Sequence, residues 1–183
     1  MLGYDGVQEA FIFENITLIT DPANNTTGKA FQVVVLGCTD NDIGQAIFDE
    51  KPIGIESYGT TIAPILDSQG TSHDIGFTRP TSIDIYIIVN LVVTPEYPVN
   101  GANTIKQNTV DYANGTLVQG RGFGVSDNVI QTELYTPVNS VPGHSITSIL
   151  IGTSPTPTLE NNIVIDFDEV SNFDIANIII NET

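Results

Sequence analysis

The sequence predicts an α+β fold of two mixed subdomains, with short sheets and about three helices. Three observations carry this expectation. A long aliphatic alternation follows Pro80, stretches of helical spacing lie between strand-like runs, and the order of elements lacks the βαβ rhythm of a doubly wound parallel sheet. The expected division is a β-rich subdomain with one helix over residues 1–80 and an α+β subdomain over residues 81–183, meeting near Arg79-Pro80.

The elements follow in order. Glu9 to Thr20 and Phe31 to Gly37 are rich in Phe, Ile and Val, and the turn-forming run Asp21 to Gly28 separates them, so strand, loop, strand is expected. Ile43, Ala46 and Ile47 share one helical face. Thr39 or Asp40 can cap that helix, Asp42 suits its positive end, and Pro52 and Gly54 stop it. Gly59 to Leu66 and Thr71 to Thr78 read as a hairpin about Asp67-Ser-Gln-Gly70.

The clearest periodicity comes next. Ile83, Ile85, Ile87, Val89, Leu91 and Val93 alternate with Asp84, Tyr86, Asn90 and Thr94, the signature of a strand with one buried face. Each such aliphatic side chain contributes about 1.5–3 kcal/mol when fully buried. That outweighs local propensity and makes the strand the expected spine of the second half. Two helices should follow. Ala102 to Ala113 carries Ile105, Thr109 and Tyr112 on one face. Ser126 to Thr136 carries Val129, Ile130 and Leu134, capped by Ser126. Gly120 to Gly124 lacks the spacing and the Lys-Ser/Thr sequel of a phosphate loop and reads as a flexible link between them. Ser145 to Gly152, Asn162 to Phe167 and Ile175 to Ile180 complete the expected strands.

Charge narrows the function. The chain has 183 residues, 22 acidic against 5 basic, and a net charge of −17. At 40% hydrophobic it has the material for a core, while its charge excludes nucleic-acid binding through a basic surface and disfavours an anionic membrane. No run nears the roughly 18 apolar residues of a spanning helix, and Met1 to Ala10 lacks a secretory signal's basic start and apolar core. Cys38, the one cysteine, has no adjacent base and reads as structural.

Chemistry-bearing patterns are sparse. His73 and His144 sit in no metal spacing, and no serine elbow occurs, so both read as loop or strand-edge histidines. Asp40, Asp42, Asp166, Asp168 and Glu169 could offer oxygens to calcium, yet neither group matches an EF-hand. The first group reads as helix capping and the second as a solvated strand face, with Asp166 and Asp168 opposite Ile165 and Phe167. Sequons at Asn15, Asn24, Asn25, Asn114 and Asn181 read as chance in an Asn- and Thr-rich chain. From Gly122 to Thr183 there is no Lys or Arg. That one-signed stretch is either solvated or half of a complementary interface, and Asp166, Asp168, Glu169 and Asp174 are the residues assigned to such an interface.

Several segments together resemble the baseplate J-like family of contractile phage tails. They are Val34 to Phe48, Lys51 to Gly59, Asp74 to Pro80 with the alternating strand after it, Gly120 to Val125, and Pro142 to Ser148, in matching order. The resemblance implies a wedge component of a baseplate: a structural adaptor and not an enzyme, without cofactor or metal. It implies that the chain associates with copies of itself and with other wedge and tail proteins in a ring about the tail tube. It places the protein in the virion, assembled in the host cytoplasm, with neither nucleic acid nor membrane as partner. Family members carry a further N-terminal region, so a C-terminal fragment or a compact variant is expected. The alternative that the acidic, Thr- and Asn-rich composition admits is a calcium- or carbohydrate-binding, adhesin-like surface module.

Overall fold

Strand β2 (Ala30–Gly37) holds the first half of the chain together, because both of its edges are used. In the computed structural model, which describes residues 4–183, β1 (Val7–Glu14) pairs with it antiparallel along one edge. Along the other edge β3 (Glu56–Tyr58) runs parallel beside Ala30 to Gln32. Beyond β3, Thr78 takes over: its N–H donates to Val33 O at 2.8 Å, and its carbonyl accepts from Val35 N at 3.0 Å. Met1–Gly3, the start of the stretch read for a secretory signal, lie outside the described residues.

Between β2 and β3 stands α1 (Asp40–Glu50). Thr39 is its cap, accepting from Asp42 N at 3.3 Å and donating to Asp42 Oδ2 at 2.7 Å. Asp40, the other candidate cap, pairs instead with Arg79 (Nη2 to Oδ1 2.7 Å, Nε to Oδ1 3.0 Å). The same guanidinium donates to Cys38 O at 2.8 Å and to Gly37 O. It thus clamps the turn in which Cys38 takes a left-handed φ of +58°. Strands β4 (Thr61–Leu66) and β5 (Ser72–Phe77) form the expected hairpin. Asp67 holds its turn by accepting from Gln69 N at 2.8 Å and Thr71 N at 2.9 Å. His73 Nε2 lies 3.0 Å from Asp67 Oδ2, and this contact, with the two backbone N–H donors, holds the carboxyl below the usual range. Ile43, Ile47, Ala63, Ile65, Ile75 and Phe77 make the core with the inner face of β2.

The second unit, Ser82–Thr183, is built on β6 (Thr81–Val93). It is central in a three-stranded sheet of order β7-β6-β8. Strand β7 (His144–Gly152) pairs with it antiparallel. Strand β8 (Glu169–Glu182) runs parallel to it, as the pairs Asp84–Asn172 and Asn90–Asn181 show by ascending together. Ile85, Ile87, Val89 and Leu91 are fully buried, with Ile83 and Val93 packed at the margin. The other face carries a polar ladder: Asn181 donates to Asn90 Oδ1 and Asn90 to Ser148 Oγ, each at 2.8 Å. Helix α2 (Gly101–Ala113) packs against β8 and buries Ile105, Thr109 and Tyr112 as its spacing predicts.

The fold is α+β with several small sheets, and local expectations are corrected at several places, the last strand among them, since β8 begins at Glu169 and not at Ile175. Strand β1 stops at Glu14 and does not reach Thr20, because the side chain of Asn15 takes over the backbone bonding of the turn that follows. Strand β3 is an addition that three residues were too short to signal.

No helix starts at Ser126. That residue has φ +63° and donates to Glu169 O at 2.9 Å, while Asp127 accepts from Gly124 N. Helical structure begins only with a 3₁₀ turn, Gln131–Leu134, continued by α3 (Tyr135–Asn139), whose first turn accommodates Pro137.

Asn162 to Phe167 is not a strand. It touches 128–131 through one bridge, Val129–Ile163, and through two amide side chains. Asn128 accepts from Ile165 N at 2.9 Å, and Asn162 accepts from Gln131 N at 3.0 Å. Gly120 to Gly124 is pinned at Phe123, which is buried, stacks on Phe173 at 5.5 Å and donates its N–H to Ala113 O.

Two predictions follow from this packing. A Cβ on Gly44 of α1 would stand 2.5 Å from Ala63 Cβ. Gly44→Ala should therefore lose about 1–3 kcal/mol in urea unfolding, against the gain of about 1 kcal/mol that helix propensity alone supplies. The second concerns His144, which opens β7 edge-on to Tyr97, ring centroids 5.9 Å apart. Neither of its ring nitrogens has a hydrogen-bond partner, and burial pulls its pKa below 6.5. As pH falls past 6.5 the unfolded chain takes up this proton first. Stability should therefore fall with pH until the lower folded value is passed. His144→Phe should remove that part of the slope in a pH series of thermal melts.

Candidate functional site

The first unit opens a groove of about 710 Å³. One wall is the sheet face that carries Ile12 and Phe31, and the other is the end of α1 with Ile47 and the following Pro52 and Ile55. Helix α1 lies over the β4–β5 hairpin and leaves this part of the sheet open. Lys29 and Lys51 stand at the groove with Glu14 and Glu50. Each ammonium already donates to a main-chain carbonyl, Lys29 to Ile16 O and Lys51 to Ile55 O, the latter at 3.2 Å.

At the groove, where Ile12 and Ile16 line it, and in the loop that follows, apolar side chains are exposed. Ile12 is 63% exposed, Ile16 69%, Leu18 85% and Ile19 73%. The backbone beneath them is tied down by Asn15, which is 4% exposed. Its Nδ2 donates to Ile19 O and Thr26 O, each at 2.8 Å, and its Oδ1 accepts from Thr17 N at 3.0 Å and Thr17 Oγ1 at 2.7 Å. Thr26 in turn donates to buried Gln32, which donates to Thr78 Oγ1, both at 2.8 Å. A sugar on Asn15 Nδ2 would replace one of the two N–H donors and break one of these bonds. The exposed apolar residues are thus held outward by a buried polar network. Sequence reasoning missed this site, although the one signal for it was present: an amide in the middle of an otherwise strand-like run.

The four carboxylates assigned to an interface lie in the other unit and are not on one strand face. Asp166 and Glu169 close the turn before β8: Glu169 Oε2 accepts from Asp166 N at 2.9 Å, and Glu169 N donates to Asp166 O at 3.1 Å. Asp168 is half-buried in that turn. Asp174 is exposed on β8 and accepts from Ala176 N at 2.8 Å. Two of the four therefore spend an oxygen on neighbouring backbone. The reading of Asp166 and Asp168 as one face of a strand is corrected accordingly.

Other titratable groups serve packing. Tyr112 donates to Glu133 Oε2 at 2.9 Å; burial and that bond push its pKa up. The Tyr97 hydroxyl is pushed up to about 12, by burial first and then by the Glu182 carboxylate. Among the described residues no three His, Cys, Asp or Glu side chains gather as a metal site, and no helix is long and apolar enough to cross a membrane.

The Asn15 network separates two neighbouring substitutions. Asn15→Ala should cost about 1–3 kcal/mol in chemical denaturation, since it strips a buried turn of its partners. Ile16→Asn should stay within about 0.5 kcal/mol, because the side chain already meets water.

A scan against protein-family models finds none that matches the chain, and a search of curated proteins finds no match.

Proposed function

We propose that the chain is a structural subunit of a phage-like contractile tail baseplate, a wedge component that associates with copies of itself and with other wedge and tail proteins. In this reading it works by docking and makes or breaks no bond in a substrate. It uses no cofactor, resides in the virion after assembly in the host cytoplasm, and engages neither nucleic acid nor membrane.

The observation that carries the reading is the rigid apolar surface on the first unit. Ile12 and Ile16 are exposed and line an open groove, Leu18 and Ile19 are exposed in the loop that follows, and the chain is strongly acidic. Exposed apolar side chains gathered at a groove mark interaction sites. The ordered series of segments that resembles the baseplate J-like family favours assembly over other kinds of docking. The stretch after Gly122, free of Lys and Arg, would then face a basic partner, with Asp166, Asp168, Glu169 and Asp174 in the contact.

The test is mass in solution. Light scattering across a concentration series, alone and mixed with candidate tail proteins, should give species heavier than one chain. A stable ring contact buries more than about 1,000 Å² and should survive dilution to micromolar. A chain that stays monomeric throughout, and enters no tail assembly, overturns the proposal.

A further inference from the structure

We infer that the last stretch of β8, residues 177–182, pairs antiparallel with the same stretch of a second copy across a two-fold axis. The inference rests on the reading of the chain as a self-associating subunit and names the surface and its occupant.

The starting point is the main chain. Strand β8 lies at a margin of its sheet, with β6 on one side only. Thr183, just past its end, turns both main-chain groups to β6: its N–H donates to Leu91 O and its carbonyl accepts from Val93 N, each at 3.0 Å. Main-chain groups alternate in direction along a strand, so those of Glu182, Ile180 and Ile178 point away from β6. Among the described residues no main-chain group from elsewhere in the chain meets them.

Elsewhere this unit protects its margins. On β7, Ile151 N donates to Leu159 O and Gln131 Nε2 to Ile149 O, each at 2.9 Å. At the start of β8, Ser126 N donates to Glu169 O, and Val125 bridges Val170. Midway along β8, Asp174 Oδ1 takes the N–H of Ala176. The separation of facing residues also grows from 88 at Asp84–Asn172 to 91 at Asn90–Asn181, so β8 bulges between them. Covers and bulges of this kind keep strand margins from joining, as Pro and Lys do. Residues 177–182 have none of these.

Symmetry and composition name the occupant. Antiparallel bonding is its own complement, so an open strand accepts its own copy across a two-fold axis. A chain with 22 Asp and Glu meets itself best where they do not oppose one another. Ile175 to Asn181 holds no charged side chain, whereas β1, at the margin of the first sheet, carries Glu9 and Glu14. With Ile180 opposite Ile180 of the second copy, the outward groups of all three residues are paired. Glu182 then lies opposite Ile178 and not opposite its own counterpart. Ile179, 45% exposed, is covered by Asn181 of the second copy.

The test uses the full chain. Light scattering across a concentration series should reach the mass of two chains. Amide hydrogen exchange at Ile178, Ile180 and Glu182 should slow by about tenfold or more as the dimer forms. Glu182→Pro removes an outward N–H without breaking a bond inside the sheet, and it removes a negative charge, so added repulsion cannot explain its effect. Ile179→Glu puts a carboxylate in the contact, while Ile175→Glu adds the same charge on the same strand outside it. The first two should weaken association by about tenfold or more, and Ile175→Glu should leave it unchanged. Circular dichroism checks folding; if Glu182→Pro does not fold, the two glutamate variants decide.

Dimers that persist in both Glu182→Pro and Ile179→Glu, or that form without slowing those amides, would put the contact elsewhere. They would overturn the inference and leave self-association standing. Equal weakening by Ile179→Glu and Ile175→Glu would show net charge to be the cause and overturn it likewise. Amides that slow only when a candidate tail protein is added would assign the margin to a strand of that protein, so the inference falls and the assembly reading survives. A wild-type chain that stays single overturns the inference. If it also enters no tail assembly, the assembly reading falls with it.

Discussion

A strand with neighbours on both sides must satisfy every main-chain donor and acceptor it has, and each unit of this protein is arranged around one such strand. In the first, β2 divides its second edge between β3 and Thr78, so residues from three separate stretches of chain are brought to one line. In the second, β6 takes β7 on one side and β8 on the other. The alternation of Ile85, Ile87, Val89 and Leu91 sets which face of that sheet turns inward. A register slip of one residue would move all four into water. On the opposite face the Asn181–Asn90–Ser148 ladder fixes the same register by a second, polar means.

Where regular pairing stops, amide and guanidinium side chains take its place. Asn15 closes one loop, Arg79 holds the turn into α1, and Asn128 and Asn162 knit two irregular segments that lack a ladder. Each of these bonds uses a side chain to satisfy a main-chain group that would otherwise lie partly buried and unpaired, a loss of about 1–3 kcal/mol. The result is loops whose conformation is determined as closely as that of the strands. This is why Ile16, Leu18 and Ile19 can stand outward without the chain collapsing over them.

How far the amino-acid pattern could be read depended on how local the cause was. Strand β6, the β4–β5 hairpin, α2 and the capped α1 were legible because periodicity, a turn signal or a cap lies within each of them. Thr39 and Asp42 declare the start of α1 in four residues. The stretches 126–130 and 162–167 were misread because their conformation is decided by partners about 30 to 40 residues away: Asn128 with Ile165, and Gln131 with Asn162. Their apolar spacing fitted a helix and a strand on its own terms, and tertiary bonding overrode it. The carboxylates of the second half were legible as charge but not as geometry, since the turn joining Asp166 to Glu169 leaves no periodic trace. The groove was not legible at all. It arises because α1 lies over the hairpin and leaves part of its own sheet bare.

The parallel placement of β8 beside β6 has a consequence for how the protein comes into being. Leu91 accepts from Thr183, and Asp84 meets Asn172, across sequence separations of 92 and 88 residues. On the ribosome, therefore, the central aliphatic strand emerges long before the segment that seals its second margin. Pairings of such long range are slow to form, and an open strand margin invites adhesion to neighbouring nascent chains. The first unit meets no such delay, since its three sheet strands and hairpin are all delivered by Thr81. Biogenesis thus has a vulnerable interval confined to the second unit, and it ends only when β8 has been synthesised.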